Sequence, residues 1–230
     1  MRDMHSHILP GVDDGAANLK ESLAMLDAAK VSGVSAIVCT PHVRDPYFDY
    51  DAFWQAYELL KEHAGGFSLQ MGFEVNYSKL MELGMGWADK LGFDGSNEFL
   101  LELPTQASKY EYNDYERTIY ELLRKGFRVI ISHPERYRAI QQDIRLAHDL
   151  VRWGCTLQVS ADYIVGGRLG NSKKPAQRLF KEGLVSYLGS DAHIPMHYTY
   201  LEKACRIYKS MGTQASLIQT AAVSALQRTG

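Results

Sequence analysis

The segment Arg128-Val129-Ile130-Ile131-Ser132-His133 places a short run of β-branched residues directly before a histidine. A run of this length is typical of a strand buried on both faces of a parallel sheet. Similar runs recur with helical stretches between them, and this alternation predicts βα units around a parallel sheet. The predicted strands lie near 2–4, 35–39, 68–73, 98–101, 128–131, 156–159 and 185–188. No linker-like segment separates them, so we predict one α/β domain over 1–230.

The composition excludes several classes of protein. Hydrophobic residues make up 46% and charged residues 23% of the 230 residues, which is ordinary for a folded soluble chain. A net charge of −2 gives no basic surface for nucleic acid or anionic lipid. The apolar runs are too short to cross a bilayer, and the N-terminus lacks a signal-peptide core. We therefore expect a cytoplasmic protein with no nucleic-acid partner and no membrane insertion. Apolar stripes at helical spacing, including one at 217–226, predict core-facing helices.

The three cysteines, Cys39, Cys155 and Cys205, are an odd number with long spacings, so neither a disulfide framework nor a Cys-x-x-Cys metal site is indicated. Thiol-based phosphatases need a cysteine followed six positions later by arginine, which holds the phosphate. No arginine stands at that position after any of the three. That mechanism is excluded.

Metal-ligand side chains stand at the ends of six of the seven predicted strands. Because the carboxyl ends of parallel barrel strands converge, we expect these side chains to meet. They are His5 and His7, His42, Glu74, Glu102, His133, and Asp191 with His193. Asp14 can join them from the glycine-rich loop 11–15, whereas we interpret Asp13 as part of a solvated turn. The His5-x-His7 pair adds specificity, since residues two apart in an extended chain share one face.

Five histidines and four carboxylates exceed the ligands that one ion uses, so we infer two or three ions with bridging carboxylates. Imidazole and oxygen ligands without sulfur favour Mn²⁺, Fe or Zn²⁺ over Ca²⁺ or Mg²⁺. Adjacent divalent ions activate water and hold the oxygens of a phosphoryl group, which makes phosphate-ester hydrolysis the natural chemistry. Arg136 and Arg44 each follow a predicted ligand closely and are the candidates for catalytic contact with phosphate. By position alone, each is equally well interpreted as a surface charge.

Six motifs resemble one known family, the bacterial manganese-dependent protein-tyrosine phosphatases of the PHP (polymerase and histidinol phosphatase) superfamily. They are His5-Ser6-His7-Ile8-Leu9-Pro10-Gly11-Val12-Asp13-Asp14-Gly15, Thr40-Pro41-His42, Gly72-Phe73-Glu74-Val75, Leu101-Glu102-Leu103, Ser132-His133-Pro134-Glu135-Arg136-Tyr137 and Gly189-Ser190-Asp191-Ala192-His193. The first motif is much more specific than the His-x-His that all PHP domains share. The resemblance runs from the first strand to at least the seventh.

The resemblance implies a distorted (β/α)₇ barrel with three metals and water as the attacking group, so no covalent phosphoenzyme is expected. By position, it assigns His5, His7, Glu74 and Asp191 to a first ion, Glu74, Glu102 and His133 to a second, and Asp14, His42 and His193 to a third. Arg136 would contact the substrate phosphate, with help from Arg44. The implied substrate is phosphotyrosine protein, a tyrosine autokinase of capsule or exopolysaccharide production. Oligomer formation is left open.

Two alternatives remain open. One is a PHP phosphatase for a small molecule such as histidinol phosphate or a nucleotide, and the other is a catalytically silent metal-binding regulatory barrel. Members of the family usually carry an arginine shortly after the final Asp-x-His motif, where it holds the phosphate. In this chain no arginine follows His193 before Arg206, and this departure favours the second alternative. His197 is interpreted as a loop histidine more readily than as a phosphate donor, and His63 and His148 as structural or solvent-facing residues.

Overall fold

Parallel strands form the wall of the molecule in a computed structural model that describes residues 1–168 and 170–210. The strands are β1 (Arg2–Ser6), β2 (Ala36–Cys39), β3 (His42–Val43), β4 (Ser68–Met71), β5 (Glu74–Asn76), β6 (Glu98–Glu102), β7 (Arg128–Ser132), β8 (Thr156–Ser160) and β9 (Val185–Gly189). They pair in the orders β1-β2-β4 and β3-β5-β6-β7-β8-β9, and every pairing is parallel. Each predicted strand coincides with an observed one, which confirms the α/β fold class.

Two of the seven wall positions are interrupted strands, so that β2 continues as β3 and β4 continues as β5. Pro41 lies in the first interruption and has no N–H to donate to a ladder. Gly72 lies in the second, where an added Cβ would stand 2.6 Å from the side chains of Val38 and Phe93. The interruptions divide the wall into the three-stranded and the six-stranded sheet, with β3 and β5 in the latter.

The first and last strands close the ring. Ser6 pairs with Ala192 beyond the end of β9. The backbone N–H of Asp191 donates to the carbonyl of His5 at 2.8 Å, and that of His7 donates to the carbonyl of Ala192 at 2.9 Å. The closure therefore runs through residues that also carry predicted metal ligands.

Helices follow the strands and cover the outside of the ring. They are α1 (Leu19–Val31), α2 (Tyr50–His63), α3 (Tyr77–Leu83), α4 (Ala88–Leu91), α5 (Tyr112–Arg124), α6 (Arg138–Gln142), α7 (Arg145–Arg152), α8 (Lys173–Lys181) and α9 (His197–Ser210). Asn18 caps α1, its side chain accepting a hydrogen bond from the N–H of Glu21 at 3.1 Å. Within the described ranges, none of the helices has the length and apolar character needed to cross a bilayer.

A small apolar cluster underlies the carboxyl end of the barrel. It joins Met4, Val38, Leu100 and Ile130, from four strands, with Phe93. Leu100 stands two residues before the end of β6, which places this cluster roughly 7 Å below the strand end. The polar residues above it are therefore supported by a packed apolar floor.

The predicted helical stripe at 217–226 lies outside the described residues, and the domain boundary of 1–230 stays a prediction.

Candidate metal centre

Glu74 is the centre of a group of histidines at the carboxyl end of the barrel. Its Oε1 lies 3.3 Å from Nε2 of His5 and 2.8 Å from Nε2 of His133. Its Oε2 lies 2.8 Å from Nδ1 of His42 and 3.6 Å from Nε2 of His7. The side chain of Glu74 is fully buried. One carboxylate therefore reaches imidazoles from β1, β3 and the end of β7, which is the geometry of a bridging ligand.

Asp191 approaches the same group from the end of β9. Its Oδ1 lies 3.5 Å from Nε2 of His5 and 3.3 Å from Nε2 of His7. The two histidine nitrogens are themselves 3.2 Å apart. The predicted His-x-His pair therefore does converge on one point, and a carboxylate stands beside it.

A second group lies nearer the surface and is built around Asp14. Oδ1 of Asp14 lies 3.2 Å from Nε2 of His42 and 3.4 Å from Nε2 of His193. The rings of His7 and His193 stack with their centroids 4.0 Å apart. The carboxylate of Asp14 is about one-third exposed, whereas all three imidazoles are buried.

Glu102 completes the set on the β6 side. Its Oε1 lies 3.6 Å from Nε2 of His133, and its Oε2 accepts a hydrogen bond from the side chain of Asn76. The described residues include three sets whose ligand atoms all lie within 4.8 Å of one another: His7, Asp14, His42 and His193; His5, His7 and Glu74; and His42, Glu74 and Glu102. All nine predicted ligands thus stand in one contiguous cluster.

The cluster contains buried ligand atoms that the protein itself does not satisfy. Nδ1 of His133 is buried without a hydrogen-bond partner, and Nε2 of His193 faces only the Asp14 carboxylate, 3.4 Å away. Nδ1 of His42 and Oε2 of Glu74 face each other at 2.8 Å without a further hydrogen bond. Buried polar atoms in folded proteins are nearly always paired, because an unpaired one loses its hydration without compensation. Imidazole nitrogens and carboxylate oxygens are the usual ligands of Mn²⁺, Fe and Zn²⁺. The residues therefore fit divalent ions.

The charges of the cluster are strongly coupled. Burial lowers the pKa of His5, but the carboxylates of Glu74 and Asp191 outweigh it and raise that pKa to about 9. Burial is likewise outweighed at His42, where Glu74 and Asp14 raise the pKa to about 10. At His7, burial and the neighbouring histidines lower the pKa to about 4. The surrounding carboxylates thus favour the protonated, positively charged forms of His5 and His42.

The carboxylates respond in the opposite direction. Burial would raise the pKa of Glu74 and of Asp191, yet both pKa values are lowered. For Glu74 the cause is the charge on His5 and His42, and for Asp191 it is chiefly Arg136. Both groups are therefore ionised at neutral pH, as metal ligands must be.

Asp13 corrects one interpretation made from the sequence. Its side chain is 1% exposed rather than solvated. Oδ2 lies 2.8 Å from Nδ1 of His7 and accepts the backbone N–H of His42, while Oδ1 accepts the N–H of Gly15. The carboxylate fixes the orientation of one imidazole and joins two ligand-bearing segments, as supporting residues of metal sites do.

The backbone is constrained where two ligands are presented. His133 has a φ of 32° and Asp191 a φ of 48°, in the left-handed region that non-glycine residues rarely adopt. The loop that carries Asp14 is packed on β1 just as tightly. A Cβ on Gly15 would lie 2.0 Å from the carbonyl oxygen and 2.6 Å from Cβ of His7. Glycine is therefore required there for the loop to approach the centre.

Arg136 and Arg44, the predicted phosphate contacts, lie in different surroundings. Arg136 is buried, and its Nη2 lies 2.5 Å from Oδ2 of Asp191 and 3.1 Å from Oδ2 of Asp162. Burial lowers the pKa of Arg136, but these carboxylates outweigh burial, so the pKa is raised above its usual value. Arg44 is one-third exposed, with Nη2 2.9 Å from Nε2 of His42. Both border the cluster, and their contact with phosphate stays a prediction.

The other predicted histidine assignments are tested by their exposure and contacts. His63 is exposed and bonded to the carbonyl of Leu59, and His148 is exposed and paired with Glu182, so neither belongs to the cluster. His197 begins α9, and its Nδ1 accepts the backbone N–H of His193 at 3.2 Å. It therefore supports a ligand segment from within a helix rather than from a loop.

Sequence reasoning assigned no ligand to the sixth strand, β8, yet this strand supports the centre. Oε1 of Gln158 lies 2.9 Å from Nδ1 of His5, and Asp162, just beyond the strand, binds Arg136. The hydroxyl of Ser160 donates to Oδ2 of Asp191 at 3.3 Å. These residues also stand at or just beyond the end of a strand. The strand-end position that pointed to the predicted ligands could therefore have pointed to these supporting residues as well.

Comparison with known proteins places this geometry among related chains. CapC of Staphylococcus aureus is 31% identical over 199 residues, covering 84% of this chain and 77% of that protein. A tyrosine-protein phosphatase named CpsB, from Streptococcus agalactiae serotype V, is 27% identical over 219 residues and covers 90% and 89%.

Solved structures of YwqE from Bacillus subtilis and CpsB from Streptococcus pneumoniae are described as unique metal-dependent tyrosine phosphatases. One chain described in this way matches with a TM-score of 0.81 and 26% identity, and the match covers 99% of this chain and 94% of that one. Residues 1–221 match the family model described as capsular polysaccharide synthesis, CpsB/CapC. The chain therefore belongs to the CpsB/CapC family.

Proposed function

We propose that this chain is a metal-dependent phosphatase that hydrolyses phosphotyrosine on protein. The observation that carries the proposal is the convergence of nine imidazole and carboxylate side chains, Glu74 among them, at the carboxyl end of the barrel, where Nδ1 of His133 is buried without a hydrogen-bond partner. The names of its relatives, tyrosine-protein phosphatases, support the substrate class. The likeness to YwqE and CpsB, which are metal-dependent tyrosine phosphatases, supports the need for metal.

We assign the ligands as the resemblance implies. His5, His7, Glu74 and Asp191 would hold one ion, Glu74, Glu102 and His133 a second, and Asp14, His42 and His193 a third. The distances around Glu74 and around Asp14 support the first and third sets. The 3.6 Å approach of His133 to Glu102 supports the second. Mn²⁺ is the ion that we propose, as the resemblance implies; imidazole and oxygen ligands without sulfur also suit Fe and Zn²⁺.

When bound, such ions activate water and neutralise the charge that develops on a phosphoryl group. The residues of the chain supply the rest. Asp13 and Gln158 hold the rings of His7 and His5 in fixed orientations. Arg136 pairs with Asp191 and fixes its carboxylate. Arg44, which is partly exposed beside His42, is placed to bind a phosphate oxygen.

We further propose that the physiological substrate is a tyrosine autokinase and that the reaction serves capsule or exopolysaccharide production. The family description, capsular polysaccharide synthesis, supports this setting. The one-third exposure of Asp14 supports a macromolecular substrate, since it places the cluster at the surface, where a side chain of another protein can reach it.

A direct assay tests the proposal. Phosphate release from a phosphotyrosine peptide should require added Mn²⁺, disappear with a chelator, and fall about 100-fold or more in His133→Ala, because a ligand is lost. His63→Ala is the matched control, since His63 is exposed and outside the cluster. Histidinol phosphate and nucleoside monophosphates belong in the same panel, and faster turnover of either would replace the protein substrate. Activity that survives the chelator would refute the proposal.

A further inference from the structure

The carboxylate of Asp14 faces two kinds of group. Oδ1 faces the imidazoles of His42 and His193, at 3.2 and 3.4 Å. Oδ2 faces two guanidinium groups instead, since Nη2 of Arg44 and Nη1 of Arg168 each lie 3.8 Å from it. Both arginines are about one-third exposed. They therefore border the centre on its solvent side, and Nη2 of Arg44 also lies 2.9 Å from Nε2 of His42.

The charges on this solvent side do not balance within the protein. Two guanidinium groups share one carboxylate oxygen, and the same carboxylate is a proposed metal ligand. Positive charge gathered at the exposed edge of a cation site attracts a dianion, and arginine binds phosphate oxygens with directed, charge-assisted hydrogen bonds. Arg136 is less suited to this task, because it is buried and its Nη2 is already bound to Asp162 and Asp191.

Arg168 is held in place by the same network that supports the ligands. Its backbone N–H donates at 3.1 Å to Oδ2 of Asp162, the oxygen that also accepts from Arg136. The turn before it needs glycine, because Gly166 and Gly167 have φ values of 104° and 70°. A Cβ on Gly167 would also lie 2.5 Å from Oγ of Ser172. The turn thus fixes where the backbone of Arg168 stands relative to the centre.

We propose that Arg168 binds the phosphate group of the substrate, acting with Arg44 across Asp14. The ligand class is a phosphate monoester dianion, and the proposal rests on the proposed function for its substrate. The segment after His193 supports it, since residues 194–202 contain no lysine or arginine. The β8 side of the barrel mouth therefore supplies the cation that this segment does not.

Binding of inorganic phosphate tests the proposal without turnover. The dissociation constant is measured by calorimetry on the Mn²⁺-loaded protein. Arg168→Ala should weaken phosphate binding about tenfold, because it removes charge-assisted hydrogen bonds at a partly solvated position, and Arg168→Lys should recover part of the loss. Arg178→Ala is the matched control, since Arg178 is an exposed arginine of the same βα unit, paired with Glu182. It should leave phosphate binding unchanged.

Metal content and thermal unfolding of each variant separate phosphate binding from a structural role. If Arg168→Ala binds phosphate within twofold of the unaltered protein, or loses phosphate binding only together with Mn²⁺, the proposal is wrong. If the unaltered protein binds no phosphate, the proposal also fails. Phosphate binding that depends on Arg168, without release of phosphate from phosphotyrosine peptide, would instead refute the proposed function and leave the role of Arg168 supported.

Discussion

Replacement of Glu74 by glutamine should weaken the binding of the proposed metal ions. The variant keeps the shape of a fully buried side chain but removes the negative charge that lies within 3.6 Å of four imidazoles. Loss of a residue that merely supports a ligand weakens metal binding about 10- to 100-fold. Glu74 is in the middle of the ligands, so we expect about 100-fold or more, which corresponds to ~2.7 kcal/mol.

Thermal unfolding with and without Mn²⁺ measures this loss. At saturating ion, the stabilisation lost equals the binding free energy lost, ~2.7 kcal/mol. For a chain of this size, 1 kcal/mol shifts the melting temperature by about 2–4 °C. The Mn²⁺-induced rise in melting temperature should therefore be about 5–11 °C smaller in Glu74→Gln than in the unaltered protein.

Glu98→Gln is the matched control for this experiment. Glu98 is also a buried glutamate, at the start of β6, and it pairs with Arg2 at 3.2 Å and Arg128 at 2.9 Å. Both substitutions lose a paired buried charge and should lower the melting temperature without metal. Only Glu74→Gln should shrink the increment produced by Mn²⁺. An increment equal to that of the unaltered protein would show that Glu74 is not a ligand, and the bridging arrangement would have to be abandoned.

Three further outcomes follow from the site. Arg136→Ala should lower the free energy of unfolding by ~3–5 kcal/mol in urea titrations, because it leaves buried carboxylates without their partner; a loss below about 1 kcal/mol would contradict this. Mn²⁺ binding near pH 7 should release protons, since pKa values of about 9 for His5 and about 10 for His42 keep both protonated until an ion displaces the proton. Affinity should then rise with pH up to those pKa values, and calorimetry in buffers of different protonation enthalpy that detects no release would argue against it. Gly15→Ala should destabilise the protein by ~1–3 kcal/mol and reduce metal content, whereas Gly86→Ala, where a Cβ meets nothing within 4 Å, should change the free energy of unfolding by less than ~0.5 kcal/mol.

The sequence predicted the elements of this fold because buried parallel strands leave a strong local pattern. The run 128–131 became β7, and His133 directly after it lies 2.8 Å from Glu74. The splitting of the third wall strand was not predicted, since it depends on packing between Gly72 and residues distant in sequence. The continuation of the second wall strand as β3, beyond Pro41, was not predicted either. Local pattern carries no information about such contacts.

The same distinction applies within the site. The cluster of nine side chains was predictable, because metal-ligand residue types recur together at the ends of six predicted strands. The role of Asp13 was not, because a carboxylate in a glycine-rich turn is usually solvated, and only the folded loop brings it within 2.8 Å of His7. Arg168 was overlooked for a related reason, since it follows a turn beyond β8 whose course depends on Asp162.

The closure of the ring between β1 and the segment after β9 has a consequence for biosynthesis. His5 and Asp191 are proposed ligands of the same ion. The backbone carbonyl of His5 also accepts a hydrogen bond from the backbone N–H of Asp191. During translation the first ligands leave the ribosome long before the last are made. A nascent chain that ends before position 191 therefore lacks part of the proposed ligand set, which is complete only after nearly the whole barrel has been synthesised. A divalent ion that binds at this stage would then link β1, the first strand of the ring, to the segment after β9, the last.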